Sequence, residues 1–498
     1  MACSPRRSRV SLLLAVTMML LAAFVTAAPT CAPGPDDEAG TSTTPATTPA
    51  TTPSTTTVED DGSYNGRAGL EDMEVIGTAW YPGWLSGTFP PSSISWSRYN
   101  MMTFAFAVTT EDPAVLDLLG QEEVLKTFVA EARKNDVKAL LSIGGWTGSR
   151  FFSPHVATPE SRATFAKAIT DMAVQYELDG IDFDWEYPNL DGIGCNEKSP
   201  QDTANFLTFL QELKASPPGS RLMLTAAASI KPFMGEDAVI TDASAFGEVF
   251  DVLAIMNYDI YGPWADTTGP NAPLRDSCST NPATRLGSAE SAVAAWTEAG
   301  FPAEKLLLGV AAYGRSFQVP LASAKSQEGS LNLFTAFDKT AKPFGEDDTA
   351  DANYTNTCGV VEGPSGVWTF KGLIESGILG ADGNPADGID YTFDECSQTP
   401  FVYNQDTQVM ITFDDARSFE AKGKFIDEQK LRGYAVWHVL GDSSDDLLLD
   451  SIHKGARIIT EEVEVPADPE GEGEGEGCDV EVCEEEPTDG ESDDDYYS

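Results

Sequence analysis

The sequence predicts a (β/α)8 barrel carrying a small α+β insertion between its seventh and eighth strands. Three observations lead there. Eight short apolar or β-branched runs recur through residues 71–456, with amphipathic helical stretches between several of them. Polar motifs stand at the C-terminal ends of several runs, where barrel active sites lie, which favours a barrel over an open doubly wound sheet. Between the seventh run and the eighth, the segment from Phe317 to Asp415 is about a hundred residues long, too many for a bare loop.

Taken in order, the predicted strands are Val75–Ala79, Met102–Phe106, Lys138–Ile143, Gly180–Trp185, Leu222–Ala227, Val252–Asn257, Leu306–Ala311 and Tyr434–Trp437. Helical periodicity covers Glu122–Lys134, Ser161–Tyr176 and Thr203–Ala215. The insertion lies between Phe317 and Asp415, with its body at about 318–412. It has its own cysteines and apolar stretches at Gly366-Val367-Trp368-Thr369-Phe370 and Leu373–Leu379. At the top of a barrel it forms one wall of a cleft.

The flanks read differently. Arg6, Arg7 and Arg9 precede an uncharged, mostly apolar run from Val10 to Ala28 that ends in small residues, so residues 1–28 read as a secretory signal peptide. An uncleaved signal anchor is the alternative, and only that reading ties the chain to a membrane. Residues 29–70 contain TTPA, TTPA and TTPS at a period of four, an extended, O-glycosylated linker. In the tail, residues 457–498, the stretch Glu461–Ser498 holds 18 Asp and Glu with no Lys or Arg, a block that repels itself and stays disordered. The expected product is a secreted, extracellular monomer.

Charge narrows the function. The 498 residues include 79 acidic and 31 basic side chains, a formal net charge of -48. A general basic surface for nucleic acid is thereby excluded, and anionic membranes would repel the chain. Three histidines, His155, His438 and His453, are too few and scattered for a histidine-rich metal site. An acidic body suits a neutral or cationic substrate. In an exported chain the cysteines are expected in disulfides, as Cys358–Cys396, Cys195–Cys278 and Cys478–Cys483, with Cys31 left over; spacing does not determine the connectivity.

The chemistry concentrates in Asp179-Gly180-Ile181-Asp182-Phe183-Asp184-Trp185-Glu186-Tyr187-Pro188. Side chains alternate along a strand, so Asp182, Asp184 and Glu186 share one face and Phe183, Trp185 and Tyr187 the other. Asp179 is out of phase and belongs to the strand entrance. Three acids on one face inside a barrel repel, so at least one pKa must rise, leaving a protonated carboxyl at neutral pH. A general acid needs that state. A solvated acidic edge fits poorly with the aromatic neighbours, and a calcium site draws its ligands from a flexible loop.

This DxxDxDxE pattern resembles the signature of glycoside hydrolase family eighteen, the chitinases. Further segments resemble the family's in the same order: Ser142-Ile143-Gly144-Gly145-Trp146, Met256-Asn257-Tyr258-Asp259, Tyr313-Gly314-Arg315-Ser316-Phe317 and Trp437. The resemblance spans about 71–456 and implies the α+β insertion as well. It implies Glu186 as general acid, with the substrate's N-acetyl carbonyl attacking the anomeric carbon. Asp184 would orient the acetamido group, Asp182 would share a proton with Asp184, and Tyr258 would hold the acetamido carbonyl. Trp437 would floor the subsite of the cleaved sugar. Trp146, Trp84 and Tyr81 are candidate neighbouring platforms, because pyranose faces stack on aromatic rings. Asp259 and Arg315 would hydrogen-bond the sugar, Met256 would line the site floor, and Gly144 and Gly145 would permit a tight strand exit. The implied partner is chitin or chitooligosaccharide, with no metal and no organic cofactor. Three other readings stand beside it: an enzyme releasing N-glycans, an inactive chitin-binding lectin, and a wall structural protein. The retained Glu186, Asp184 and Tyr258 weigh against the last two.

Overall fold

The computed structural model describes residues 75–346 and 354–458, together with 65–69, 73 and 348. The expected signal peptide, nearly all of the linker and of the acidic tail, and Cys31, Cys478 and Cys483 lie outside the described residues.

Eight strands form the barrel: β1 (Ile76–Pro82), β2 (Met101–Thr109), β3 (Lys138–Gly144), β4 (Gly180–Asp184), β5 (Met223–Ala228), β6 (Val252–Ile255), β7 (Leu306–Ala311) and β8 (Gly433–Trp437). Each pairs in parallel with the next in sequence, and β8 closes on β1, with Ile76 opposite Gly433. This is the predicted (β/α)8 barrel. Its strands are buried on both faces, which is why they read as unbroken apolar runs rather than alternating ones. Inside the barrel pack Ile76, Trp80, Met101, Leu140, Met223, Val252 and Leu307 with several alanines. A larger apolar shell lies between strands and helices.

The helices follow their sequence logic. Glu122–Lys134 buries Leu125, Phe128, Val129 and Ala132 on one stripe, and its acidic first turn and basic last turn oppose the helix dipole. Pro159–Tyr176 starts two residues earlier than its periodicity suggests, because Thr158 caps it in a box with Ser161 and Pro159 takes the first helical position. The last helix, Leu447–Ala456, returns from the C-terminal rim of the barrel to its floor. There His453 Nε2 lies 2.6 Å from the hydroxyl of Tyr434, the second residue of β8.

The insertion is a five-stranded antiparallel sheet in the order Val367–Thr369, Tyr313–Gln318, Val409–Thr412, Thr399–Asn404 and Ile389–Asp394, with short helices at Leu321–Ala324 and Phe370–Glu375. It begins earlier than expected: Tyr313–Gln318 pairs with strands on both sides instead of forming a loop after β7.

Two disulfides differ from the expected pairing. Cys195 bonds Cys358 and Cys278 bonds Cys396, so neither Cys358–Cys396 nor Cys195–Cys278 forms. The reason is placement. Cys195 and Cys278 sit on loops after β4 and β6, at the rim where the insertion stands, so each meets a cysteine of the insertion rather than one on its own body.

Candidate functional site

The strand ladder builds the centre of the site. Register sets Ser142 of β3 and Thr225 of β5 directly beside Asp182 of β4. Asp182 Oδ2 accepts from Ser142 Oγ (2.7 Å) and Trp80 Nε1 (3.1 Å), while Oδ1 accepts from Thr225 Oγ1 (2.6 Å). Burial raises its pKa, and these three donors pull it back. Asp184 is 4% exposed and its Oδ1 has no hydrogen-bond partner. Burial, then the charge of Glu186 and then that of Asp182, hold it well above the usual carboxylate range. No hydrogen bond joins Asp182 to Asp184 among the described residues. Asp182 commits both oxygens to neighbours, and Glu186 is the carboxylate that weighs most on Asp184.

Glu186 lies beyond the end of β4. Burial raises its carboxyl to about 7, against a hydrogen bond from Tyr187 that lowers it; the charge of Asp259 adds to the rise. The alternation expected along 182–187 therefore stops with the ladder. Phe183 and Trp185 do turn outward, Trp185 stacking on Phe152 at 5.1 Å. Tyr187 instead faces the acids, its own hydroxyl held well above the ordinary tyrosine value by burial and by Glu186 and Asp184. Asp179 is at the strand entrance, where its Oδ2 accepts from the Ala139 N–H and Lys138 lies 3.4 Å away.

Tyr258, after β6, stands within reach of all these charges: burial and then Asp184, Glu186, Asp259 and Asp182 keep its hydroxyl protonated. Asp259 follows in the left-handed region (φ 59°). Its Oδ1 accepts from Tyr313 Oη and Arg315 Nε, both at 2.7 Å. Tyr313 and Arg315 are two residues apart on the first insertion strand and so present one face to Asp259. The insertion thus reaches into the site through this pair.

Aromatic rings line the opening. Trp437 stacks on Phe106 (5.9 Å, 19°), which stacks on half-exposed Trp84 (6.1 Å, 23°). Trp146 is also half exposed. Gly145 holds φ 77°, and a Cβ there would lie 2.8 Å from the Phe106 ring, so only glycine fits. Met256 packs against the interior cluster at the floor. Tyr81 is a correction: it is wholly buried, stacked on Phe128, with its hydroxyl donating to Phe89 O. β1 runs three residues past its predicted end, and the alternation turns Trp80 inward and Tyr81 outward.

Sequence reasoning missed four residues here. Trp80 and Tyr187 follow from strand parity only once the true strand ends are known. Tyr313 was in view within its motif but had no role without its contact to Asp259. Trp264 lies in an irregular loop with no periodic signal. It is the most exposed tryptophan of the site, 58%, with the Arg315 guanidinium 4.8 Å from its ring centre. Among the described residues no group of three or more His, Cys, Asp or Glu is arranged to hold a metal ion, and no helix is long and apolar enough to cross a membrane.

Comparison with known proteins gives a consistent picture. Residues 79–442 match the sequence profile of the glycosyl hydrolases family 18. A chitinase-like effector of Moniliophthora roreri is 46% identical over 389 residues, covering 77% of this chain and 93% of that protein. Among solved structures, a chitinase from Rhizomucor miehei superposes with a TM-score of 0.68 at 30% identity, over 76% of this chain and 99% of its own. A Cycas revoluta family 18 chitinase mutant, solved in complex with (GlcNAc)4, shares the fold with a TM-score of 0.60 at 24% identity, over 76% and 99%.

Proposed function

The chain belongs to the glycosyl hydrolases family 18, and from that premise we propose that it hydrolyses β-1,4-linked N-acetylglucosamine polymers by substrate-assisted, retaining catalysis. The observation that carries the proposal is the pair of carboxyls at the end of β4. Glu186 is raised to about 7 and so is half protonated at neutral pH, while Asp184 keeps one oxygen without a partner.

Glu186 gives its proton to the glycosidic oxygen as that bond breaks. The substrate's acetamido carbonyl attacks the anomeric carbon, and the unpaired Asp184 Oδ1 accepts the acetamido N–H, stabilising the positive charge that develops. Asp182, anchored by three donors, stands next to Asp184 on the same face of β4. The Tyr258 hydroxyl donates to the acetamido carbonyl and holds it in line. Water then opens the intermediate with Glu186 as base, so configuration is retained. Trp437 floors the central sugar. Trp84, Trp146 and Trp264 extend the platform, and Asp259 with Arg315 bonds the sugar hydroxyls. Two disulfides and the Arg-led apolar N-terminus support a secreted, extracellular protein.

The test is incubation of the full chain with N-acetylglucosamine hexamer and, separately, with a glucose hexamer, products being read by mass spectrometry. Cleavage of the acetylated oligomer alone is expected. Binding without cleavage at every pH tried would move the protein to the lectin reading.

Two further outcomes follow from the geometry. Only the protonated form of Glu186 is a general acid, and its raised pKa keeps that form to about 7. kcat/KM should therefore be maintained below that pH and fall about tenfold per unit above it; a profile flat to pH 9 would exclude Glu186 as the acid. Trp264→Ala removes an exposed stacking face, and the expected cost is about 1 kcal/mol, roughly a fivefold rise in Kd for the hexamer. Titration calorimetry on the Glu186→Gln background checks it.

A further inference from the structure

Glu186 has no place in the barrel ladder, since β4 ends at Asp184. Its peptide groups are held by side chains instead. The Glu186 N–H donates to Ser149 Oγ at 3.0 Å, and the Glu186 carbonyl accepts from Asn196 Nδ2 at 2.7 Å. Ser149 is wholly buried and its hydroxyl lies 2.8 Å from Gly145 O and 3.0 Å from Asp184 O, so one side chain touches the backbone of both candidate acids. The two sides are joined directly, because Glu197 N–H donates to Arg150 O at 3.0 Å. Space around the carbonyl is tight: a Cβ on Gly192 would lie 2.1 Å from Glu186 O and 2.4 Å from Asn196 Nδ2. Cys195, next to Asn196, is bonded to Cys358 of the insertion, and the Cys358 sulfur also lies 3.8 Å from Ile193 O.

We propose that Ser149 and Asn196 form a clamp that positions the general acid, and that the Cys195–Cys358 disulfide holds the Asn196 side of the clamp in place. The proposal rests on Glu186 being the acid. Two side chains set the orientation of the Glu186 peptide, and the peptide sets where the carboxyl stands relative to the glycosidic oxygen. A displacement of an ångström there costs up to about a hundredfold in rate without changing the sugar-binding rings. The insertion then has a second link to the chemistry, separate from the Tyr313 and Arg315 contacts with Asp259.

Ser149→Ala, Asn196→Ala and the paired Cys195→Ser/Cys358→Ser variants of the full chain are compared with the wild type on N-acetylglucosamine hexamer. Expected are kcat losses of about ten- to a hundredfold for the first two and about three- to tenfold for the disulfide variant, with KM within about twofold of wild type. The alkaline limb of the pH profile should also move, and Ser149→Thr, which keeps the hydroxyl, should recover most of the rate. Folded Ser149→Ala and Asn196→Ala variants with unchanged kcat and pH limb would overturn the clamp. So would losses carried equally by KM or removed by cooling below the unfolding transition, which mark general loosening. A disulfide variant at wild-type rate would overturn the role of Cys195–Cys358. A wild type that binds but never cuts would overturn the reading of Glu186 and the clamp with it.

Discussion

Glu186→Gln is expected to lower kcat on N-acetylglucosamine hexamer by about 10²–10⁴-fold while leaving oligomer binding within about threefold of wild type. Glutamine fills the same volume and keeps a hydrogen-bonding head, so Trp437, Trp84 and Trp264 retain their faces. What disappears is the proton that burial keeps on Glu186 up to about pH 7. The remaining rate reflects Asp184, Tyr258 and the aromatic platform holding the substrate near attack. Single-turnover kinetics together with calorimetry separate the two effects. A variant that cuts at even a tenth of the wild-type rate would mean that another group delivers the proton.

The largest effect on stability is expected at Lys422→Met. Lys422, on the helix Ala416–Gln429 that leads into β8, is fully buried against equally buried Asp414, at the exit of the insertion's last strand. Burial pushes the Asp414 carboxyl up and the Lys422 ammonium down, each opposed by its partner. Removing the cation strands the carboxylate, whose Oδ2 has no hydrogen-bond partner even now. The expected loss is about 3–5 kcal/mol. Lys422→Met combined with Asp414→Leu should return most of it, because the pair then leaves no buried charge behind. Denaturant titration of the three variants forms the cycle; a single-variant loss under about 1 kcal/mol would show that water reaches the pair.

Much of this architecture was legible because burial on both faces writes each barrel strand as a solid apolar run. The acid residues were legible because alternation is a local rule that holds for as long as a strand does. Where strands end is set by partners that sequence does not display. That is why Tyr81 reads as a platform although it faces away from the site, and why Tyr187 reads as facing away from the acids although it faces them. The same limit hid the role of Tyr313, whose strand is placed by pairing with Val367–Thr369 on one side and Val409–Thr412 on the other, the latter across nearly a hundred residues. Disulfide connectivity was hidden for a related reason. The four cysteines meet only because three segments distant in sequence converge on one rim, and spacing holds no information about that convergence. Trp264 had no signal at all beyond being a tryptophan in a loop.

The return of the last helix has a mechanical meaning. β1 starts at the floor of the barrel, and the helix Leu447–Ala456 ends there, beside Tyr434. Both covalent exits from the folded body therefore leave from the face opposite the acids. A load or an anchor applied through either end pulls on the floor and leaves the rim facing outward. Held that way against a surface, the molecule would present its cleft to polymer arriving from the surroundings rather than to whatever holds it.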